Sequence, residues 1–499
     1  MKNDTTEKKI IPMLNDSTTL IGKGSFGSVY LSSTGWVYKE TKICLPIKTN
    51  GESDFVLNEN NIKEIIFYKI LLNKLVSYTK HHLFPYLQYF PSSIMIPTKV
   101  MMSGHQCKIY MKHAGTPLHK YKNKGHSQLN RIFTSLVKTV YFLYSCGITH
   151  GDVKPNNILI SSDGKATLVD YGSICFNHTL SVNNPFQRCT IFYVSPEELQ
   201  DDSYSIMNDW WSLGVVFFES ITNKCFIKCL LKTCNVEKRL IDMFLDYAYQ
   251  LKCNPLFNPN QFLIYFFNSI TQHDIQRLLN KYTSHTLYHT ILSKLLSISP
   301  EERKQGITSV LDFFQVSSYF RLSQGNSNNV EEQISDTIPL LPFHKLEVTT
   351  ITKLQRNESV KKMYEICSEL FSLPLFGHSV MLFDRFYFRL VNYSFLNIYH
   401  GCVSVIVCYL SSLILKGEVC YGSQLQSLIK DYFKKEYTIE QILDTLDCIF
   451  IVLDYQLYNI SPDMVIKEYT DRMLAIYTKF PVINANIEGL IHELKGLPV

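Results

Sequence analysis

The sequence predicts an α+β fold in two lobes, followed by a separate all-α domain. Short β-branched runs surround one helical pattern from Thr18 to about Phe90, which indicates a small, strand-rich N-terminal lobe. From about Ser127 to Phe314, apolar residues recur mostly at helical spacing, as expected for a helical C-terminal lobe. A polar stretch rich in Asn and Ser, from Ser323 to Thr337, is typical of a linker. Helical spacing returns from about Glu347 onwards.

These patterns divide the chain into four segments. A polar N-terminal arm covers residues 1–14, a two-lobed domain covers 15–318, a linker covers 319–346, and an all-helical domain covers 347–499. The first ten residues, MKNDTTEKKI, are charged and polar and lack an apolar core, so a secretory signal is not expected.

Composition narrows the classes of partner. The chain has 499 residues, of which 46% are hydrophobic, so it can form large cores. The net charge is only +5 and no run of five or more basic residues occurs, so we expect neither nucleic acid nor a membrane as a partner. The most apolar stretch, Cys402–Leu415, is shorter than the roughly 20 residues of a membrane-spanning helix and predicts a buried core helix.

The cysteines and the overall composition indicate the cellular compartment and the kind of genome. Fourteen cysteines occur without a CxxC pair or a zinc-like histidine spacing, so we expect reduced thiols in an intracellular compartment, cytoplasmic or nuclear. Frequent Asn, Ile, Lys and Tyr suggest an AT-rich genome, such as that of a large DNA virus. The compartment would then belong to the host cell.

The first lobe opens with a glycine-rich segment, LIGKGSFGSVY. Gly22, Gly24 and Gly27 form a G-x-G-x-x-G pattern, in which backbone amides can approach phosphate oxygens because no Cβ atom obstructs them. A dinucleotide-binding fold would continue into a helix. This sequence continues into two β-rich runs around a Ser-Thr-Gly turn, which favours a kinase-type loop between two strands. Ile21 and Val29 flank the glycines and are further candidate ATP-binding residues.

Two charged residues can complete this phosphate site. Lys39 ends the motif WVYK in the second strand of the predicted hairpin, where it can meet the α- and β-phosphates. The next segment, ENNIKEIIFYKILL, has its isoleucines on one helical face. On this helix Glu64 can pair with Lys39, and Glu59 is the alternative partner. The competing interpretation is a surface lysine and a glutamate that pairs with a helix neighbour.

The segment THGDVKPNNILI resembles the catalytic loop of eukaryotic protein kinases, H-R-D-x-K-x-x-N. Four residues match this motif position for position: His150, Asp152, Lys154 and Asn157. By this resemblance Asp152 accepts the proton of the substrate hydroxyl, Lys154 steadies the γ-phosphate, and Asn157 binds one Mg²⁺. Thirteen residues past Asn157, Asp170 of VDYGS matches the second metal-binding aspartate of the family.

Further residues match motifs of the kinase C-terminal lobe, in the order in which the family has them. They are Thr190 and Ser195-Pro196-Glu197 of the activation segment, Asp209, Trp211 and Gly214 of the D-x-W-S-x-G helix, and Arg303, the expected buried partner of Glu197. The resemblance covers about Thr18 to Phe314 and implies the two-lobed protein kinase fold. It also implies ATP and Mg²⁺ as cofactors, Met111 in the ATP site and a protein substrate. Lys154 and Thr190 favour Ser/Thr specificity.

Some positions depart from the family pattern. Gly151 replaces the arginine of H-R-D, which in the family reads a phosphate on the activation loop. Because glycine offers no cation, we do not expect switching by phosphate at Thr179 or Ser181. Tyr171 and Tyr68 lie where two apolar residues usually stack between the lobes, so their hydroxyls need partners if they are buried.

The C-terminal domain resembles a cyclin box over about Ser359 to Pro462. The matching segments are Asp384-Arg385-Phe386 for L-D-R-F, Cys402–Leu415 for the central buried helix, and Tyr437–Leu457 for the fifth helix and its exit. The charged pair with which that family clasps a kinase aligns with Leu413 and Leu446, so both charges are replaced together. We therefore expect an apolar, salt-insensitive contact within the chain through these leucines. An unrelated helical bundle is the alternative.

The sequence thus predicts an active Ser/Thr protein kinase that is regulated in cis by a fused cyclin-like domain. One rival is a pseudokinase scaffold, which is disfavoured because all four charged or metal-binding positions are filled: Lys39, Asp152, Asn157 and Asp170. The other rival is a protein whose helical C-terminal domain mainly captures a partner protein.

Overall fold

The structure is a computed structural model, and the chain forms two compact units. One comprises Met1–Phe343 with Lys416–Val419, and the other comprises His344–Leu415 with Cys420–Val499. The residues that the structure describes are 18–24, 27–49, 51–80, 93–103, 105–121, 125–145, 147–176, 191–201, 206–248, 258–316, 351–371, 374–393, 396, 398–418, 421–455 and 457. Several predicted features lie outside them: the polar arm, the linker, Thr179, Ser181 and Thr190.

The first unit opens with an antiparallel sheet of five strands. They are β1 (Thr18–Gly24), β2 (Gly27–Ser32), β3 (Trp36–Lys42), β6 (Lys99–Ser103) and β7 (Gln106–Lys112), in the spatial order β1-β2-β3-β7-β6. Alternate residues of β3 are buried, because successive side chains of a strand point to opposite faces. Lys39 shares the buried face with Val37 and Thr41, so the strand carries its ammonium group inward.

Between β3 and the first helix lies a two-stranded ribbon that the sequence did not predict. Its strands are β4 (Cys44–Thr49) and β5 (Glu52–Leu57), which pair antiparallel. The ribbon is short and carries several exposed residues, so its sequence lacks the long alternating pattern that predicts a strand.

Helix α1 (Glu59–Lys80) follows the ribbon. Asn58 caps it, since its side-chain oxygen accepts a hydrogen bond of 3.2 Å from the N–H of Asn61. The predicted apolar face is present, because Ile62 and Ile66 are fully buried. Glu64 is also fully buried, so α1 presents a carboxylate to the interior of the lobe.

Short strands carry the segments that hold the predicted catalytic residues. They are β8 (Thr116–Pro117), β9 (Ile148–Thr149), β10 (Ile158–Ile160), β11 (Ala166–Leu168) and β12 (Cys175–Phe176). Strand β10 pairs with both β11 and β8, and β12 pairs with β9. The catalytic-loop segment therefore joins β9 to β10, and Asp170 follows β11.

The helical lobe surrounds an aromatic core. Its helices are α2 (His126–Ser145), α3 (Pro196–Asp201), α4 (Asn208–Thr222), α5 (Phe226–Thr233), α6 (Lys238–Ala248), α7 (Pro259–Ser269), α8 (Gln272–Thr283), α9 (His289–Leu295) and α10 (Pro300–Phe313). Helix α4 is buried over most of its length, and Phe217 on it stacks on Phe133 of α2 with ring centroids 3.7 Å apart. Such burial fixes α4, whose first turn carries Asp209.

The second unit is helical over its described residues. Its helices are α11 (Lys353–Leu370), α12 (Pro374–Leu390), α13 (His400–Lys416), α14 (Gly422–Phe433) and α15 (Ile439–Leu453). Every residue of α13 from Gly401 to Leu415 is buried, so the predicted core helix is confirmed. Across the described parts of both units, we find no helix with the length and hydrophobicity that crossing a membrane requires.

The apolar contact predicted through Leu413 and Leu446 stays a prediction. Both side chains are completely buried in the second unit, on α13 and α15 respectively. Burial of both positions accounts for the absence of charge there.

Candidate active site

A buried lysine connects two acidic residues from different elements. Lys39 Nζ on β3 lies 2.7 Å from Glu64 Oε2 on α1 and 2.9 Å from Asp170 Oδ1, after β11. Burial alone would lower the pKa of Lys39, but the two carboxylate charges outweigh burial and raise that pKa above its usual value. Lys39 therefore keeps its positive charge at the centre of the site.

The predicted pairing of Lys39 with Glu64 is confirmed, and the alternative through Glu59 is wrong. Glu59 lies five residues earlier on α1 and pairs instead with Lys63, at 2.6 Å. Because Glu64 has no exposure to solvent, movement of α1 would leave a buried charge without its partner, at a large cost in free energy. The ion pair thus couples the position of the helix to the position of β3.

The catalytic-loop segment brings three predicted residues together. Lys154 Nζ lies 2.6 Å from Asp152 Oδ2, and the Asn157 amide nitrogen donates 2.9 Å hydrogen bonds to the side chain and the carbonyl of Asp152. Burial raises the pKa of Asp152, whereas the charge of Lys154 and the bond from Asn157 oppose this shift. The carboxylate is thus held in one orientation by two donors.

Gly151 lies in this segment because of its backbone conformation. Its φ is +76°, in the left-handed region that favours glycine. The N–H groups of His150 and Gly151 donate hydrogen bonds of 2.6 and 3.0 Å to the two carboxylate oxygens of Asp209. The first turn of α4 thereby fixes the turn that precedes Asp152. The missing side chain at position 151 also leaves no cation there.

His150 is neutral and structural in this arrangement. Its Nδ1 accepts a 3.2 Å hydrogen bond from the N–H of Asp152, so its Nε2–H donates to the carbonyl of Val169, at 3.2 Å. Burial lowers the pKa of His150 to about 4. The ring therefore connects the backbone of Asp152 to the backbone of Val169, the residue before Asp170.

Asp170 and Tyr171 form a turn that is held from two sides. Asp170 has φ +68° and ψ +74°, which is unusual for a residue with a side chain. The fully buried Tyr171 donates a 3.0 Å hydrogen bond from its hydroxyl to the carbonyl of Leu168. Its ring stacks on Phe67 of α1 with centroids 4.3 Å apart. The expectation that a buried hydroxyl here needs a partner is confirmed for Tyr171.

The three glycines of the glycine-rich segment lie on two paired strands. Gly24 pairs with Gly27 across β1 and β2, as expected for a hairpin, and Ser25 and Phe26 lie outside the described residues. At Gly27, where φ is +143°, a Cβ atom would lie 2.4 Å from the carbonyl oxygen of Glu40. A side chain is therefore excluded at Gly27. The pairing shifts register between Leu20 and Gly22.

The remaining predicted residues fall on both lobes. Ile21 on β1 is about half exposed and Val29 on β2 is half-buried, whereas Met111 on β7 is buried beside β3. The predicted ion pair between Glu197 on α3 and Arg303 on α10 is present and buried. It connects two distant parts of the helical lobe.

Two oxygen-bearing side chains suit a hard divalent cation. The Asn157 side chain donates both of its hydrogen bonds to Asp152 through its nitrogen. Its amide oxygen is therefore the atom that suits a cation. The Asp170 side chain is 30% exposed, and one of its oxygens is bonded to Lys39. Mg²⁺ is commonly held by one or two such groups together with phosphate oxygens and water. Within the described ranges no cluster of three or more His, Cys, Asp or Glu forms a metal cage.

Comparison with protein families decides how this geometry is classified. Residues 16–313, more than half of the chain, match the family model of the protein kinase domain. The chain belongs to the protein kinase family. The match covers the glycine-rich turn, the lysine on β3, the catalytic loop and the buried ion pair of the helical lobe.

Individual kinases resemble the chain over a shorter range. A probable serine/threonine-protein kinase of Dictyostelium discoideum is 29% identical over 206 residues, covering 40% of this chain and 36% of that protein. A probable cell division protein kinase of Encephalitozoon cuniculi is 28% identical, covering 40% and 58%. A serine/threonine-protein kinase of Arabidopsis thaliana is 26% identical, covering 41% of each. The chain therefore spans only part of the length of these relatives.

Sequence reasoning missed two backbone carbonyls that organise the site. The carbonyl of Val169 accepts from His150, and the carbonyl of Leu168 accepts from Tyr171. A backbone carbonyl has no residue-type signal, so no motif could reveal these partners. The tyrosine itself was the only available hint, because a buried hydroxyl requires an acceptor.

Proposed function

We propose that this chain is an ATP-dependent protein serine/threonine kinase that uses Mg²⁺. The observation that carries the proposal is the position of Lys39, bonded to Glu64 and Asp170 at once. A fixed cation beside a metal-binding carboxylate is what transfer of a charged phosphoryl group needs. Membership of the protein kinase family and the names of the serine/threonine kinase relatives support the same assignment.

The proposed reaction transfers the γ-phosphate of ATP to a Ser or Thr hydroxyl. The hydroxyl oxygen bonds to the γ-phosphorus, its proton passes to Asp152, and the bond between that phosphorus and the ADP oxygen breaks. Lys39 and Lys154 supply positive charge to the phosphate oxygens. Asn157 and Asp170 would hold the metal, which neutralises charge on the β- and γ-phosphates when bound.

The ATP-binding surface would combine residues of the small lobe. The turn of Gly22, Gly24 and Gly27 covers the phosphates, while Ile21, Val29 and Met111 offer apolar surface to the adenine ring. Burial of apolar area around the ring would supply affinity, and the charged residues would supply orientation.

The competing proposal is a pseudokinase or scaffold whose helical C-terminal domain captures a partner protein. The decisive experiment is transfer of labelled phosphate from ATP to a Ser/Thr peptide library by the full chain, with and without Mg²⁺. Metal-dependent transfer to Ser or Thr supports the kinase. Absence of transfer at every Mg²⁺ and peptide concentration, with the fold intact, would favour the scaffold.

We also propose that residues 347–499 form a cyclin-like domain that regulates the kinase in cis. The continuous burial of α13 supports a bundle built around one central helix, as a cyclin box requires. The apolar contact through Leu413 and Leu446, both of which are buried, remains part of this proposal. The intracellular setting is likewise a proposal, and it is supported by the ten cysteines among the described residues, none of which forms a disulfide.

A further inference from the structure

We propose that the hydroxyl of Tyr171 is a positioning group for the metal-binding residue Asp170. By hydrogen bonding to the carbonyl of Leu168, it holds the Asp170 backbone in the conformation that the site requires. This inference rests on the proposed kinase function and deepens it, since it assigns the control of Asp170 to an atom inside the fold. A phenylalanine at position 171, the usual residue of the family, lacks that atom.

The backbone at Asp170 needs such a hold. Its φ of +68° lies in the left-handed region, where a residue with a Cβ atom is disfavoured. A conformation of this kind persists only where the surrounding structure over-determines it. The 2.9 Å bond from Lys39 to the Asp170 carboxylate holds the side chain, whereas the strained backbone needs a contact of its own.

The hydroxyl of Tyr171 closes a short loop over this strained residue. It donates to Leu168, three residues earlier, so Val169 and Asp170 lie between the two ends of the hydrogen bond. The acceptor residue is itself hydrogen-bonded through both its N–H and its carbonyl. Leu168 O also accepts from the N–H of Met95 at 3.3 Å, and Leu168 N–H donates to Ser93 O at 2.8 Å. The hydroxyl is therefore attached to a hydrogen-bonded strand residue.

The same side chain reaches the helix that carries Glu64. The Tyr171 ring stacks on Phe67 with centroids 4.3 Å apart and meets Tyr68 edge-on at 5.7 Å, and both aromatic residues belong to α1. One residue thus contacts the helix of Glu64 and holds the turn of Asp170. These are the two partners of Lys39.

The position of this anchor fits the substitution at Gly151. Position 151 carries no side chain that could bind a phosphate on the activation segment. A contact that is always present can then hold Asp170 without such a phosphate. The Tyr171 hydroxyl is such a contact, because it depends on a backbone carbonyl and requires no modification.

The test compares Tyr171→Phe with the wild-type full-length chain. Tyr68→Phe is the matched control, because it removes another buried hydroxyl from the same aromatic cluster. Amide hydrogen exchange of residues 166–175, without nucleotide or metal, should be about fivefold faster in Tyr171→Phe, as expected for a lost neutral hydrogen bond. The Mg²⁺ concentration for half-maximal ATP turnover should rise by about the same factor. Tyr68→Phe should change neither quantity.

The possible results separate this inference from the proposed function. Faster exchange in Tyr171→Phe, in a chain without kinase activity, supports the anchor and refutes the function. Unchanged exchange and unchanged Mg²⁺ dependence in an active Tyr171→Phe enzyme overturn the anchor and leave the function in place. Equal effects of Tyr171→Phe and Tyr68→Phe would also overturn the inference. So would a lower melting temperature of Tyr171→Phe with no change in its Mg²⁺ dependence, because the hydroxyl would then contribute only to packing.

Discussion

Charge and backbone conformation determine which residue type each position of the site accepts. Asp209 illustrates the point: burial raises its pKa to about 6, yet two backbone N–H groups from His150 and Gly151 favour the carboxylate. Gly151 is required by its positive φ, and Lys39 is kept charged by two acidic neighbours. Each residue type therefore fits the local charge or backbone conformation as well as the motif.

The pH dependence of the reaction should report the environment of Asp152. A base must be ionised, so phosphoryl transfer should fall as the pH drops through the raised pKa of this carboxyl group. In Lys154→Met the neighbouring positive charge is lost, so that pKa rises further and the acid limb of kcat/KM should move to higher pH. Lys165→Met, a lysine beyond the loop, should leave the profile unchanged. An acid limb that stays in place or moves to lower pH in Lys154→Met would argue against Asp152 as the base.

Residue identity in the site was more predictable than residue conformation. The charges of Lys39, Glu64 and Asp170 are visible in the motifs, and the structure brings them within hydrogen-bond distance. The positive φ of Gly151 and the acceptor of the Tyr171 hydroxyl were not predictable, because both depend on backbone geometry. A motif specifies side chains, whereas the φ of Gly151 and the acceptor of the Tyr171 hydroxyl depend on the path of the backbone.

At the scale of elements, periodicity explains which parts of the fold could be predicted. Helix α13 and the buried face of α1 follow from apolar spacing, which is a strong signal in long helices. The β4–β5 ribbon was missed because short exposed strands carry little pattern. For Leu413 and Leu446, apolar spacing alone cannot separate a core face from a docking face.

Breaking the buried ion pair between α3 and α10 should strongly destabilise the helical lobe. Arg303 is almost fully buried, so Arg303→Met leaves the Glu197 charge unpaired and should cost about 3–5 kcal/mol in the free energy of unfolding. The double variant Glu197→Leu with Arg303→Met should recover much of that loss. All three tryptophans lie in the first unit, so tryptophan fluorescence during urea unfolding measures it. A single variant within about 1 kcal/mol of wild type, or no recovery in the double variant, would refute a strongly coupled pair.

The activation segment should not control the rate through phosphate. Gly151 has no cation to bind a phosphoryl group, so phosphatase treatment should leave the rate nearly unchanged. The double substitution Thr179→Ala with Ser181→Ala should behave in the same way. A drop of about tenfold or more, roughly 1.4 kcal/mol in the barrier, would mean that another basic residue binds the phosphate.

At the scale of the whole molecule, the chain joins a kinase domain to a helical domain. A polar linker of about 25 residues, as the sequence predicts, would span roughly 25–30 Å if it were a flexible coil. Tethering of this kind sets a local concentration near the millimolar range, so even a weak contact would be occupied within the chain.

Regulation in cis predicts that residues 1–320 are much less active than the full chain. Activity should return when residues 340–499 are added at high concentration, because the separate fragment must then replace the tethered domain. Steady-state phosphorylation of the same peptide by each combination measures this. A fully active fragment 1–320 that ignores the added domain would instead indicate that the helical domain docks other proteins.

The central claim is that Lys39 and Asp170 form the phosphoryl-transfer centre of a protein kinase. The most direct measurement is phosphate transfer from Mg-ATP to a Ser/Thr peptide by Lys39→Met and Asp170→Asn, with Lys63→Met as the control for a buried lysine on α1. We expect both site variants to lose activity by about a hundredfold or more while they keep their folded structure. The control should remain active. Activity near the wild-type level in a folded Lys39→Met or Asp170→Asn protein would contradict the claim.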